Sequence, residues 1–598
     1  MAQIILGNPK LRFIKGMFYA APPPPPPEYL TIEALEDDFQ IEFYNDCNAQ
    51  YSLNEGPWTP FDDSLSPVMN AGDILYVKGE LEPGSTAGQF YTEQSFDLSG
   101  NCNSLIFGDN ASLYRDLTGY NDCYNGLFSS CVGLRNVSPN FLPSTTLVEY
   151  CYSNMFDGCE SLVSAPELPA TTLAYGCYAY MFGYCTSLVN VPVLPATTLA
   201  DNCYESMFDG CLSLVTAPEL PVTTLAEYCY AGMFYDCTSL ASAPALPATE
   251  LAYGCYSGMF GNCTSLITAP ELPATTLVEY CYSNMFENCT SLVSTPELPA
   301  TTLAEYCYDH MFSWCASLVT TPGILPATTL DTGCYAYMFM DCTSLASAPS
   351  LPATELAYEC YNGMFSATNV LPDCTNIDFT SESVVASGGL KGLFAGTKVT
   401  DNDLYNILPI NPSTGKYCLP VTTLTNYCYD GMFARCPSLV TAPELPATTL
   451  AEWCYWYMFE GCPSLVTAPA LPATTLAQGC YASMFENCSS LVTAPGILPA
   501  TTLVKKCYSN MFSNCTSLVS APELPATTLT TDCYYKMFFG CALLNYIKAL
   551  FTTKPSYTFT GEWVKGVSST GTFVKSRSAS WNVTGASGIP TGWTVQTV

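Results

Sequence analysis

The chain carries one histidine and 33 cysteines in 598 residues, and these two residue types bound the chemistry open to it. Nucleophilic catalysis by serine or cysteine needs a neighbouring base, most often histidine. Zinc enzymes commonly need an imidazole ligand as well. Only His310 could serve, and it falls at a position that varies from repeat to repeat, so it reads as a surface residue of one repeat. Most cysteines recur as Cys-x7-Cys pairs, a spacing longer than that of zinc knuckles. Two residues eight apart on a helix lie about 12 Å apart, beyond disulfide reach. Equivalent cysteines of stacked repeats would lie about 5 Å apart, within reach. Each cysteine nevertheless occupies a place suited to a small apolar residue, so a reduced thiol ladder is preferred over systematic disulfides. The odd total leaves at least one thiol free in a monomer. No catalytic, cofactor-binding or metal-binding residue is nominated, no cofactor is expected, and the chain is expected not to be an enzyme.

A second set of residues could bind rather than react. Tyr180, Tyr184, Tyr235, Trp314, Tyr337, Trp453, Trp456 and Tyr457 stand at variable positions among Asp, Asn, Ser and Gly. Such mixtures are typical of adaptable recognition surfaces, and aromatic faces beside Asp and Asn can stack on sugar rings. Ordinary tolerance of surface substitution is the preferred reading of any single one of them, and the two readings balance for the surface as a whole.

The elements that must position these residues are repeats. The motif Cys-Tyr-x-x-Met-Phe-x-x-Cys-x-Ser-Leu-Val-x-x-Pro-x-Leu-Pro-Ala-Thr-Thr-Leu recurs every 26 residues from Cys151 to Cys307. Fifteen copies of its Cys-Tyr-x-x-Met/Leu-Phe core begin at 123, 151, 177, 203, 229, 255, 281, 307, 334, 360, 428, 454, 480, 507 and 533. Wound at about 100° per residue, Cys281, Met285, Cys289, Tyr282 and Phe286 share one arc from about 0° to 140°. The variable Ser283, Asn284, Glu287 and Asn288 lie opposite. The segment therefore predicts an amphipathic helix with its recurrent face inward. Ser291-Leu292-Val293 and Thr301-Thr302-Leu303 predict short strands, with Pro296 and Pro299 bending the chain between them. One unit cannot bury its own apolar face, whereas stacked units can. At a strand spacing of about 4.8 Å, fifteen copies make a rod roughly 70 Å long.

The expected fold is an α/β repeat solenoid of leucine-rich-repeat type, with a small N-terminal β-sandwich domain and a β-rich C-terminal cap. Residues 1–28 read as an attachment leader and polyproline tether, because Pro22 to Pro27 form an unbroken stiff spacer. Residues 29–112 read as the sandwich, from alternating segments such as 39–44 and 74–79. Solenoid lobes are expected at 113–365 and 428–546, with irregular repeats or an insertion at 366–427 and the cap at 547–598. In the irregular stretch Thr368 stands where a second cysteine is due, and a decayed repeat is the preferred reading.

The net charge of −34, with 52 acidic against 18 basic side chains, repels phosphate backbones and argues against nucleic-acid binding. No apolar run reaches the roughly 20 residues of a membrane span. The segment Met1–Lys10 has no basic stretch before its apolar run, which is too short for a signal-peptide core, so export by the general secretory route is not expected.

The stretch Met285-Phe286-Glu287-Asn288-Cys289-Thr290-Ser291-Leu292 with Leu298-Pro299 resembles the core of BspA-like leucine-rich repeats, in which Ala-Phe-x-x-Cys-x-x-Leu precedes a Leu-Pro turn. Here Met replaces the usual Ala and the repeat is a few residues longer. The resemblance covers about 117–546, and the tail from Thr560-Gly561-Glu562-Trp563 to Trp593 also resembles the ends of such proteins. The resemblance implies adhesion or recognition in gut-bacterial surface proteins or phage-encoded proteins, and supplies no catalytic residues. The expected setting is a virion, as a bacteriophage fibre or decoration protein assembled in the host cytoplasm. It would contact other virion proteins through residues 1–27 and a host surface protein or glycan through the solenoid. A bacterial cell-surface adhesin and a passive structural protein are the alternatives, and homo-oligomers are compatible with the sequence.

Overall fold

A computed structural model describes residues 28–598 apart from 46, 62, 63, 373 and 375. The leader and polyproline tether of residues 1–27 lie outside the described residues.

The N-terminal part is built from alternating segments. β1 (Leu30–Ala34) buries Leu30, Ile32 and Ala34 and turns Thr31 and Glu33 outward, the period-two pattern of a half-buried strand. β2 (Glu42–Asn45), β3 (Gln50–Leu53), β4 (Thr59–Pro60), β5 (Ile74–Lys78), β6 (Gly88–Tyr91) and β7 (Phe96–Ser99) follow. α1 (Ser104–Phe107) leads into β8 (Leu134–Val137), which belongs to the first repeat. One sheet runs β4-β3-β5-β1-β7-β8, while β2 and β6 pair separately. The sheet is antiparallel until β8 joins β7 in parallel. The stacked rings of Phe43, Phe90 and Phe128 carry the N-terminal core directly into the repeats.

The repeats stack as foreseen, but their Cys-Tyr-x-x-Met-Phe-x-x-Cys segments are not helices. Each is a run of turns, here called a rung, and the α/β class expected for the solenoid is corrected accordingly. In the rung Cys281–Cys289, alternate amides bond inside the rung. Ser283 N–H donates to Tyr280 O (3.2 Å), Met285 to Tyr282 (3.3 Å), Glu287 to Asn284 (3.0 Å) and Cys289 to Phe286 (3.2 Å). The intervening amides donate to the next rung: Tyr282 to Cys307 O (3.0 Å), Asn284 to Asp309 (2.8 Å), Phe286 to Met311 (2.9 Å) and Asn288 to Ser313 (2.7 Å). An α-helix would spend every amide on its own i−4 carbonyl. Here half of them join neighbours, so stacking and backbone satisfaction are one event.

This geometry needs a left-handed residue every fourth position. Tyr280, Asn284 and Asn288 have φ of 54°, 55° and 56°. Gly, Asn and Asp recur at these positions because they tolerate φ > 0 best. A four-residue turn also keeps Cys281, Met285 and Cys289 aligned, with Tyr282 and Phe286 beside them, and all five side chains are buried.

Stacked rungs turn each recurrent residue into a column. Tyr256, Tyr282 and Tyr308 stack with centroids 5.8 Å apart, and Phe260, Phe286 and Phe312 at 5.6 and 5.5 Å. The second cysteine of each pair is a donor: Cys289 Sγ lies 3.1 Å from Phe260 O of the preceding rung, and Cys315 Sγ lies 3.1 Å from Phe286 O. Burial pushes the thiol of Cys151 up to about 12. The expected strands shrink to single parallel bridges, such as Thr268–Ser294–Thr320 and Thr276–Thr302, because prolines without N–H groups flank them.

The stack continues through the irregular stretch. Gly389–Thr397 forms a degenerate rung that accepts from Gly363 and Ala367 on one side (3.1 and 3.0 Å) and donates to Met432 and Ala434 carbonyls on the other (Phe394 N–H 2.9 Å, Gly396 N–H 2.7 Å). Thr368 and Thr397 replace the second cysteine and donate to Phe365 and Phe394 carbonyls within their own rungs. α2 (Glu382–Ala386) and α3 (Asp401–Ile407) occupy the connections on either side of this rung.

At the C-terminal end β9 (Tyr546–Ala549), β10 (Thr572–Lys575) and β11 (Thr594–Thr597) form a parallel sheet, with α4 (Tyr557–Thr560) between the first two. Trp563 is fully buried. It covers Tyr534 and Phe538 at 6.0 Å each, and its Nε1 donates to Gly588 O (2.8 Å). Both aromatic columns thus end beneath one indole.

Candidate functional site

Six of the eight aromatic candidates stand on left-handed positions: Tyr180, Tyr184, Trp314, Tyr337, Trp453 and Tyr457 have φ between 51° and 59°. Tyr235 and Trp456 occupy other rung positions. The left-handed residues of successive rungs form ridges, and on these ridges an aromatic ring often faces a glycine of the next rung. A Cβ on Gly210 would fall 2.7 Å from the Tyr184 ring, and one on Gly363 would fall 2.6 Å from the Tyr337 ring. Gly261 is covered in the same way by Tyr235, and Gly479 by Trp453. These four rings thus shield backbone that a glycine leaves bare.

The eight residues do not form one site. Tyr180 and Tyr184 neighbour each other on one rung, and Tyr235 stands apart. Trp314 and Tyr337 flank His310, whose ring lies 4.6 Å from Tyr337 and 6.2 Å from Trp314. His310 is half-buried rather than a free surface residue, with Nδ1 2.9 Å from Asp309 Oδ1.

Trp453, Trp456 and Tyr457 do converge. Trp456 lies 5.0 Å from Trp453 and 4.6 Å from Tyr457, with interplanar angles of 57° and 31°. These three rings wall a groove of about 310 Å³, closed on its other side by Lys506, Asn510, Asp532 and Tyr535, with Ser483 and Ser509 between. Apolar walls with a few converging polar groups are the usual form of a small-ligand site.

Carboxylates on other rungs feel burial. Asp209 is pushed up to about 6, first by desolvation and then by Asp236 and Asp157, and its Oδ1 is buried without a hydrogen-bond partner among the described residues. Asp430 also rises to about 6, because desolvation outweighs the Lys391 ammonium 3.3 Å away. Among the described residues no group of three or more His, Cys, Asp or Glu is placed to hold a metal ion, and no helix is long and apolar enough to cross a membrane.

The sequence profile of the BspA type Leucine rich repeat region (6 copies) matches residues 119–241, 230–347, 254–378 and 426–564. Merged, these segments span 260 and 139 of the 598 residues, about two thirds of the chain. The chain belongs to the BspA-type leucine-rich repeat family. No curated protein matches it. A solved leucine-rich repeat protein from Bacteroides ovatus is similar at 15% identity, over 76% of this chain and 88% of that one, with a TM-score of 0.32.

The groove of this BspA-type protein draws on rungs the aromatic pattern alone does not mark. Lys506, Asn510, Asp532 and Tyr535 come from the second and third rungs beyond Trp453. Their signal was the column register: 453, 479, 506 and 532 are equivalent positions, each 26 or 27 residues on.

Proposed function

We propose that this BspA-type chain is a non-enzymatic, adhesion-type binding rod that recognises a cell-surface glycan through the groove walled by Trp453, Trp456 and Tyr457. The observation that carries the reading is the convergence of three aromatic rings on a concave surface with amide, hydroxyl, ammonium and carboxylate groups opposite. Repeats of this family suggest a surface or adhesion-type protein, and aromatic anchors in a pocket carry most of the energy of such contacts.

The setting we favour is a bacteriophage virion, as a fibre or decoration protein with residues 1–27 attached to other virion proteins. Buried thiols used as hydrogen-bond donors suit assembly in a reducing compartment. A bacterial surface adhesin uses the same rod in another setting, and immunogold labelling of particles and cells separates the two.

The groove is tested with Trp456→Ala and Tyr457→Ala, which leave the Trp453–Gly479 cover in place. Attachment to host cells or immobilised glycans is expected to weaken about tenfold or more in each, the scale of a lost aromatic anchor, with an unchanged far-ultraviolet spectrum. Undiminished attachment in both variants refutes the site.

A further inference from the structure

The charges of this rod are divided along its length. Residues 136–390 contain 24 Asp and Glu and no Lys or Arg, whereas residues 391–598 contain 12 Lys and Arg against 10 Asp and Glu. The groove at Trp453–Tyr535 lies in the second part. Within it Lys506 occupies a left-handed position, with φ of 58°, one rung beyond Gly479. Among the described residues no carboxylate lies within 4 Å of its Nζ, whereas neighbouring Lys536 faces Glu562 at 3.9 Å and the rings of Tyr535 and Phe539 at 5.4 and 5.3 Å. The groove therefore combines an ammonium without an ion-pair partner with stacking walls and, in Asn510 and Asp532, partners for hydroxyl groups.

We propose that the groove takes a sugar residue bearing a single carboxylate, with its apolar face on Trp456 and Tyr457, its carboxylate at Lys506 and its hydroxyls at Asn510 and Asp532. This rests on the reading of the groove as the binding site. A lone ammonium matches one anionic group. A polyanion is disfavoured: Asp532 lines the groove itself, and Glu460 and Glu486 lie on its rungs. The same argument sets single-stranded nucleic acid below a terminal acidic sugar, although it too would stack on these rings.

The test is calorimetric titration of the full chain with two acid–neutral pairs, sialyllactose with lactose and cellobiouronic acid with cellobiose. The proteins are wild type, Lys506→Asn and Trp456→Ala; asparagine suits the left-handed backbone at 506. Wild type is expected to bind at least one acidic sugar about tenfold more tightly than its neutral partner. Lys506→Asn should remove that preference by weakening the acidic sugars more than their neutral partners, while Trp456→Ala weakens both. Equal binding within both pairs, or a preference untouched by Lys506→Asn, overturns the acidic-sugar proposal; a persisting Trp456 effect then leaves the groove reading standing. No binding of any sugar, or binding indifferent to Trp456→Ala, overturns both. Tighter binding of oligothymidylate than of every sugar overturns the sugar class in favour of nucleic acid.

Discussion

Alanine at Gly258 separates a rung of turns from a helix by the sign of its effect. Gly258 has φ of +61°, and the only atom a Cβ would meet within 4 Å is Tyr235 Cδ2, at 3.8 Å. The substitution therefore reports backbone conformation with almost no steric contribution. An L-residue in the left-handed region costs about 1–2 kcal/mol. In a helix interior, replacing glycine by alanine would instead stabilise by roughly 0.5–1 kcal/mol. A stack of coupled rungs need not unfold in two states, so the assay is native-state hydrogen exchange read on peptides covering 255–263. The expected result is exchange faster by about 5- to 30-fold in Gly258→Ala, with Gly258→Asn between it and wild type. Slower exchange in Gly258→Ala would refute the left-handed assignment. Gly254→Ala adds a steric contribution, because its Cβ would lie 2.5 Å from Tyr228 Cε1. Part of that larger loss should return when Tyr228 is also changed to alanine, as a double-mutant cycle can measure.

The remaining predictions concern thiols and protons. All 33 cysteines are buried, with thiols such as Cys307 and Cys360 pushed up to about 12 by desolvation. A thiol-reactive chromogen should therefore label almost none of them in the native rod and all of them after unfolding. Cys418, outside the main core, should react first, and rapid native labelling of many thiols would contradict the ladder. Asp209 and Asp430 titrate near 6 in the fold, against an ordinary 3.8. The folded chain holds these protons more tightly, so their effect destabilises as pH rises from about 4 through 6. Thermal stability should accordingly rise when pH falls from 7 to 5. Asp209→Asn should be more stable than wild type at pH 7 and show a flatter profile, and an unchanged profile would show that Asp209 is not desolvated.

The buried face of the repeat was legible in its sequence because Cys281, Tyr282, Met285, Phe286 and Cys289 share an arc at either 3.6 or 4.0 residues per turn. Over nine residues the two periods differ too little to separate by apolar pattern alone. The discriminating signal lay on the other face, where Gly, Asn or Asp often returns at the fourth residue, as at Asn284 and Asn288 or Gly254 and Gly258. A helix does not repeatedly require such residues. The strands were overestimated because Ser294 and Thr302 each contribute one bridge before the chain turns. In the groove, Trp453, Trp456 and Tyr457 were visible as unusual aromatics. Lys506 and Asp532 were not, because they approach only through the stacking of later rungs.

Far-ultraviolet circular dichroism tests the central claim, that the repeats are stacked turns joined by alternate amides. Among the described residues the four α-helices contain four, five, seven and four residues, twenty in all. The spectrum should therefore show helix at only a few per cent, without deep minima at 208 and 222 nm. Fifteen nine-residue helices would instead add 135 residues, roughly a quarter of the chain, and a helix content near that level would contradict the account.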